Sequence, residues 1–205
     1  MHSAKSPRRA IKEEGRRAQI IAATVFTLAE LGYVNTSLAK IAKRAGISTS
    51  LILYHFKDKD ELMAYALNDI SAKWYMHVQN NIRTAKSAPD KLHAYIRANL
   101  MYMVERPEMM AARIEIIFNK RDEDGRLFFQ TESHETVIAP LEQILEQGRR
   151  SGDFQDFTTA STAIAIRAAI DQFLGLMNSA TDAPSYIAEI TRLFDKSLGR
   201  SIIRN

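Results

Sequence analysis

Residues 32–62 read GYVNTSLAKIAKRAGISTSLILYHFKDKDEL, and their spacing predicts two short helices joined by a tight turn. Leu38, Ile41 and Ala42 share one stripe of a helix that stops before Gly46, because apolar residues three and four apart lie on one helical face. Ile52 and Phe56, four apart, mark the next helix. Between them, AGIS at 45–48 supplies a glycine where the turn needs positive φ and a serine whose hydroxyl can cap the following helix. Upstream, Ile21, Val25 and Leu28 line a first helix that Gly32 ends. Three helices within residues 11–56, the last two joined this way, describe a helix-turn-helix.

The same spacing continues along the chain, with no alternation long enough for a sheet, so an all-α fold is expected. Asp58 followed three residues later by Glu61 marks a capping-box type of helix start. Leu62, Ala66, Ile70, Trp74 and Val78 then carry a long helix at steps of four. SAPDK at 87–91 opens another through Leu92, Ile96, Leu100 and Met103, and Pro107 suits the first turn of the next, where a missing N–H costs nothing. Further helices are expected through residues 137–148 and over about 160–179 and 184–200.

Composition narrows the function classes. With 205 residues, 46% of them hydrophobic, the chain has ample material for a core. The absence of cysteine excludes disulfides, thiolate catalysis and cysteine-ligated zinc. The opening MHSAKSPRRAIKEEGRR lacks the apolar stretch of a signal peptide, and no later stretch is long enough without charge to span a bilayer. A cytoplasmic protein with no membrane partner is expected. The charged connection KRDEDGR at 120–126 lacks the alternating ligands and distal Glu of a calcium loop, so neither metal nor cofactor is expected. G-x-S-x-G and H-E-x-x-H are absent, and His134–Glu135 is the only adjacent His–carboxylate pair among five His; the chain is not expected to be an enzyme. Charge is uneven: residues 1–59 hold 11 Lys/Arg against 4 Asp/Glu, and the remainder 17 against 20. A basic segment on a mildly acidic body suits a polyanion held through its phosphates.

The stretch quoted above resembles the N-terminal signature of the tetracycline-repressor (TetR) family. The residues that carry the resemblance are Gly32, Tyr33, Thr36, Ser37, Ile41, Ala42, Ala45, Gly46, Ile47, Ser48, Tyr54, His55, Phe56 and Lys59. The resemblance implies a helix-turn-helix DNA-binding domain over residues 1–59, with 1–10 a disordered basic arm, and a helical ligand-binding and dimerisation domain over 60–205. It implies a transcriptional regulator, a repressor by family default, that binds a double-stranded DNA operator as a homodimer and is released by a small molecule. Two positions depart from the pattern. Ser50 stands where many relatives have Gly or Pro, and Leu53 where many have Tyr, so a hydroxyl contact from that site must be absent or come from Tyr54.

Each candidate residue has a physical role. Thr36 and Ser37 sit at a helix start, where hydroxyls and helix N-terminus together can hold a phosphate or simply cap. Ser48 caps the reading helix, and Thr49, Ser50 and Leu51 form its first turn, where side chains reach base edges and Leu51 can meet a thymine methyl. Tyr54 and His55 end that helix as phosphate hydrogen-bonders, and Lys59 adds a point charge. Arg8, Arg9, Arg16 and Arg17 form a basic arm. In the body, Ile166, Ile170, Phe173, Met177, Ile190, Leu193, Phe194 and Leu198 are the expected dimer interface, with the protomer's own core as the alternative. Trp74, Met101, Met103, Met110, Arg113, Phe118, Phe128 and Asp171 are the candidate ligand residues, with core as the alternative. Arg113, Glu115, Arg167 and Asp171, charged within apolar stretches, mark a polar ligand group or buried ion pairs. The rival classes are an architectural DNA-binding protein without a ligand, against which the long Met-rich body argues, and a helical enzyme.

Overall fold

The computed structural model describes residues 7–121, 124–127, 137–176 and 182–199. Among them are nine helices: α1 (Pro7–Asn35), α2 (Leu38–Ala45), α3 (Thr49–His55), α4 (Lys59–Ile82), α5 (Ala88–Glu105), α6 (Pro107–Asn119), α7 (Ala139–Ser151), α8 (Thr159–Leu176) and α9 (Ala183–Leu198). No strand is present among the described residues, apart from an isolated bridge between Arg121 and Leu127. The all-α expectation holds. None of these helices is long and apolar enough to cross a membrane.

Local chemistry sets the helix ends. Gly32 (φ 74°, ψ 169°) interrupts α1, and Gly46 (φ 66°, ψ 35°) closes α2 in the left-handed region that an L side chain avoids. Ser37, Ser48, Ser87 and Asp182 cap α2, α3, α5 and α9 by accepting the backbone N–H three residues on. At α4, Asp58 Oδ1 accepts the Glu61 N–H at 2.8 Å while Glu61 Oε2 accepts that of Lys57. This is the reciprocal arrangement expected there, displaced by one residue on the return bond.

The chain forms two compact units, residues 1–72 with 108–131 and residues 73–107 with 132–205. Residues 60–72 and α6 therefore group with the helix-turn-helix. Ala112, Ile116 and Ile117 of α6 belong to one core cluster with Ile20 and Leu28 of α1, Ile41 of α2, Ile52 of α3 and Leu62, Met63 and Ile70 of α4. The helix-turn-helix thus completes its apolar core with a helix from far along the sequence. A disordered arm is expected over residues 1–10, but α1 is helical from Pro7; residues 1–6 lie outside the described residues.

In the second unit α5 packs against α7, α8 and α9, and α8 against α7. Leu92, Tyr95, Ile96 and Leu100 are buried on α5, as are Leu141 and Leu145 on α7. Gly148 admits Phe154, whose ring carbon would lie 2.0 Å from a Cβ at that position. A polar group is buried among these helices. Trp74 Nε1 donates to Asn99 Oδ1 at 3.0 Å, Arg167 Nη1 donates to the same oxygen at 2.9 Å, and Arg167 Nε donates to Asp171 Oδ2 at 2.9 Å.

Candidate nucleic-acid interface

The last helix of the helix-turn-helix, α3, buries only Ile52 of its seven residues. Thr49, Leu51 and His55 are half-buried and Ser50 is exposed. Leu53 and Tyr54 are 47% and 63% exposed, a display of large side chains that suits a surface covered when in use. Ser48 Oγ accepts the Leu51 N–H at 3.2 Å, so the helix start that presents these residues is closed. Leu51, Tyr54 and His55 line one groove with Lys12, Glu13 and Arg16 of α1.

Two features behind the surface were not legible from residue type. Arg17 Nη1 donates to the His55 carbonyl at 2.6 Å, and its guanidinium carbon lies 4.3 Å from the Phe56 ring centroid and 4.4 Å from that of Tyr65. Arg17, expected in the basic arm, therefore anchors α3 from behind. Gln19 Nε2 donates to the Ala45 carbonyl at 2.8 Å, tying α1 to the end of α2.

Thr36 does not reach the surface. It is 2% exposed, and its hydroxyl donates to the Gly32 carbonyl at 2.7 Å, so the expected side-chain phosphate contact is corrected to an internal bond. Ser37 is exposed and caps α2, its Oγ accepting the Lys40 N–H at 3.3 Å. Lys40, overlooked in the sequence, is exposed beside it with Nζ donating to the Asn35 carbonyl at 2.8 Å; a lysine three residues after a capping serine was the available signal. Lys59 Nζ donates to the Tyr33 carbonyl at 3.0 Å and lies 4.5 Å from the Tyr33 ring centroid. Burial pushes the Lys59 ammonium down against the opposing charge of Asp60. The Tyr33 phenol is pushed up to about 12, by burial first and then by the charge and hydrogen bond of Asp60.

The model of a family described as bacterial regulatory proteins, tetR family, matches residues 20–66. The HTH-type transcriptional regulator BetI of Paraburkholderia xenovorans (strain LB400) is 37% identical over 87 residues, which are 42% of this chain and 45% of that protein. The chain thus matches less than half the length of the curated relatives. A transcriptional regulator from Pseudomonas aeruginosa PAO1 superposes with a TM-score of 0.76 at 25% identity, over 90% of each chain. Residues 20–66 thus carry the tetR-family signature. Its fold is shared by the regulator FadR of Bacillus subtilis, solved in complex with stearoyl-CoA, at a TM-score of 0.76 and 20% identity over 89% of this chain and 99% of that one. These relatives are transcriptional regulators by name.

In this chain the expected interface and ligand residues divide. Ile166, Ile170, Phe173, Phe194 and Leu198 are buried within the single chain. They fall to the alternative named for them, the protomer's own core, on helices α8 and α9 that both pack against α5. Leu193 is 50% exposed and Ile190 half-buried, while Ile164, overlooked before, is 57% exposed on α8. Of the ligand candidates, Met110, Arg113 and Phe118 belong to the first unit and Trp74, Met101, Met103 and Asp171 to the second. Phe118 is 48% exposed. Trp74 and Met103 are buried, Met101 is half-buried, and Asp171 is the ion-pair partner of Arg167. Burial opposes the charge on Arg167, but the hydrogen bonds and charge of Asp171 and Tyr95 outweigh it and raise its pKa above the usual guanidinium range. Phe128 and Met177 lie outside the described residues.

Proposed function

We propose that this chain is a sequence-specific transcriptional repressor of the cytoplasm that binds a double-stranded DNA operator as a homodimer and leaves it when a small molecule binds. The observation that carries the reading is the exposure of Ser50, Leu53 and Tyr54 on α3 while Arg17 anchors that helix from behind. Tyr54 and His55 are hydrogen-bonders for phosphate oxygens at the end of the helix; Ser37, Lys40 and Lys59 hold neighbouring phosphates. An ammonium has three N–H donors, so the bond from Lys59 to Tyr33 is compatible with a phosphate contact. One short helix reads few base pairs, which is why two copies are needed, with half-sites roughly 34–36 Å apart. Leu193 and Ile190 of α9 and Ile164 of α8 are apolar residues at the surface of these helices that could serve in pairing.

The ligand reading places the sensor in the second unit, near Trp74, Met101, Met103 and the Arg167–Asp171 pair. FadR of Bacillus subtilis was solved with stearoyl-CoA, which supports a large ligand with an apolar portion as the first class to try. Release requires the ligand to favour the conformation that binds DNA poorly. Selection of duplexes from random DNA tests the reading. A two-fold symmetric enriched site supports it, binding without enrichment favours an architectural DNA-binding protein, and no binding removes it.

A further inference from the structure

The backbone of Tyr33 is held from both sides by side chains distant in sequence. Its N–H donates to Glu115 Oε2 at 2.7 Å, next to the point where Gly32 breaks the helical conformation of α1. Its carbonyl accepts the Lys59 ammonium at 3.0 Å and the Thr36 N–H at 3.3 Å. Thr36 Oγ1 closes the turn by donating to the Gly32 carbonyl at 2.7 Å. One turn of backbone, residues 32–36, thereby sets where α2 begins and where Lys59 stands.

We propose that Glu115 is a positioning residue of the DNA interface: its carboxylate, on α6, fixes the 32–36 turn and through it the capped start of α2 and the Lys59 ammonium. The proposal rests on the DNA-binding reading above. A Cβ on Gly32 would lie 3.2 Å from Glu115 Oε2, so the carboxylate approaches the backbone closely where a glycine stands. It is delivered by a helix whose Ala112, Ile116 and Ile117 are packed in the same core as α1 to α4. A carboxylate accepting a backbone N–H makes the stronger, charge-assisted type of hydrogen bond, and its removal leaves a part-buried donor without that acceptor. Glu115 lies beyond residues 20–66, the stretch the family model matches, so the helix-turn-helix signature says nothing of it.

The test uses the full chain and a duplex selected by the wild type. Glu115→Ala should weaken binding about tenfold and speed amide exchange at Tyr33 by about the same factor, as expected for one lost bond to a charged group. Glu115→Gln keeps an acceptor oxygen and should stay within about threefold of wild type on both readouts. Combined with Lys59→Ala, Glu115→Ala should weaken binding by less than the product of the two single losses, because the two act through one turn. Glu115→Leu, which removes the acceptor and keeps an apolar stem, is read in the same way if Glu115→Ala does not fold. The proposal is overturned by wild-type DNA affinity in Glu115→Ala, by unchanged Tyr33 exchange, by equal losses for Ala and Gln, or by losses that simply multiply with Lys59→Ala. A wild-type chain that binds no duplex overturns this proposal together with the DNA-binding reading; the other outcomes leave that reading standing.

Discussion

Arg17 Nη1 donates to the main-chain carbonyl of His55 at 2.6 Å, joining α1 to the last residue of α3. That carbonyl is among the acceptors left over at a helix C-terminus, where a cation is favourable. The guanidinium also lies close to the Phe56 and Tyr65 rings. Arg17→Ala should therefore destabilise the first unit by about 2 kcal/mol, the sum of one charged hydrogen bond and a partly desolvated cation–π contact. Arg17→Lys should recover only part of this, because a lysine lacks the planar fork. Urea unfolding of the three proteins checks the order.

Lys59→Ala removes both a phosphate partner and the bond to the Tyr33 carbonyl. Binding should weaken for every DNA sequence, and the slope of log affinity against log salt should fall by about one unit. Titration at several salt concentrations measures it; an unchanged slope would assign Lys59 to the internal bond alone.

How much of this was legible follows from the kind of signal each residue gives. Gly46, Ser48 and the Asp58–Glu61 pair act through the backbone next to them, so their spacing was enough to place turn and caps. Thr36 shares the residue type and position of a capping hydroxyl, but its bond runs back to the Gly32 carbonyl, and type alone does not choose between them. The stripe Ile166, Ile170 and Phe173 looks the same whether it faces a second chain or the protomer's own core, and burial decides for the core. The link from Glu115 to Tyr33 spans 82 residues, and neither periodicity nor capping rules carry information across such a distance.

Asp171 is half-exposed, whereas its partner Arg167 is buried. Asp171→Ala leaves that guanidinium without its carboxylate and should cost about 3 kcal/mol, the lower part of the range for breaking a buried pair because solvent reaches one partner. Denaturant unfolding reads this directly. A loss below about 0.5 kcal/mol would place the pair with ordinary surface salt bridges.

Tyr33 gives a pH dependence with a definite sign. Its phenol is pushed up from 10.0 to about 12, by burial first and by Asp60 second. A group whose pKa is raised on folding contributes stability that is complete below its ordinary value and is lost as pH rises through the folded one. Stability should fall between about pH 10 and 12, and Tyr33→Phe should flatten that fall. Thermal unfolding across the alkaline range, wild type against variant, measures it.

In the function proposed above, α3 meets DNA with its exposed end. The most direct measurement is the affinity of the Tyr54→Ala, His55→Ala double variant for a duplex selected by the wild type, by fluorescence anisotropy at fixed salt, with folding checked by circular dichroism. Two lost hydrogen bonds to phosphate at about 1.5 kcal/mol each predict a loss of roughly a hundredfold or more with helicity unchanged. A folded double variant that binds the duplex as tightly as the wild type would remove Tyr54 and His55, and with them the end of α3, from the DNA interface.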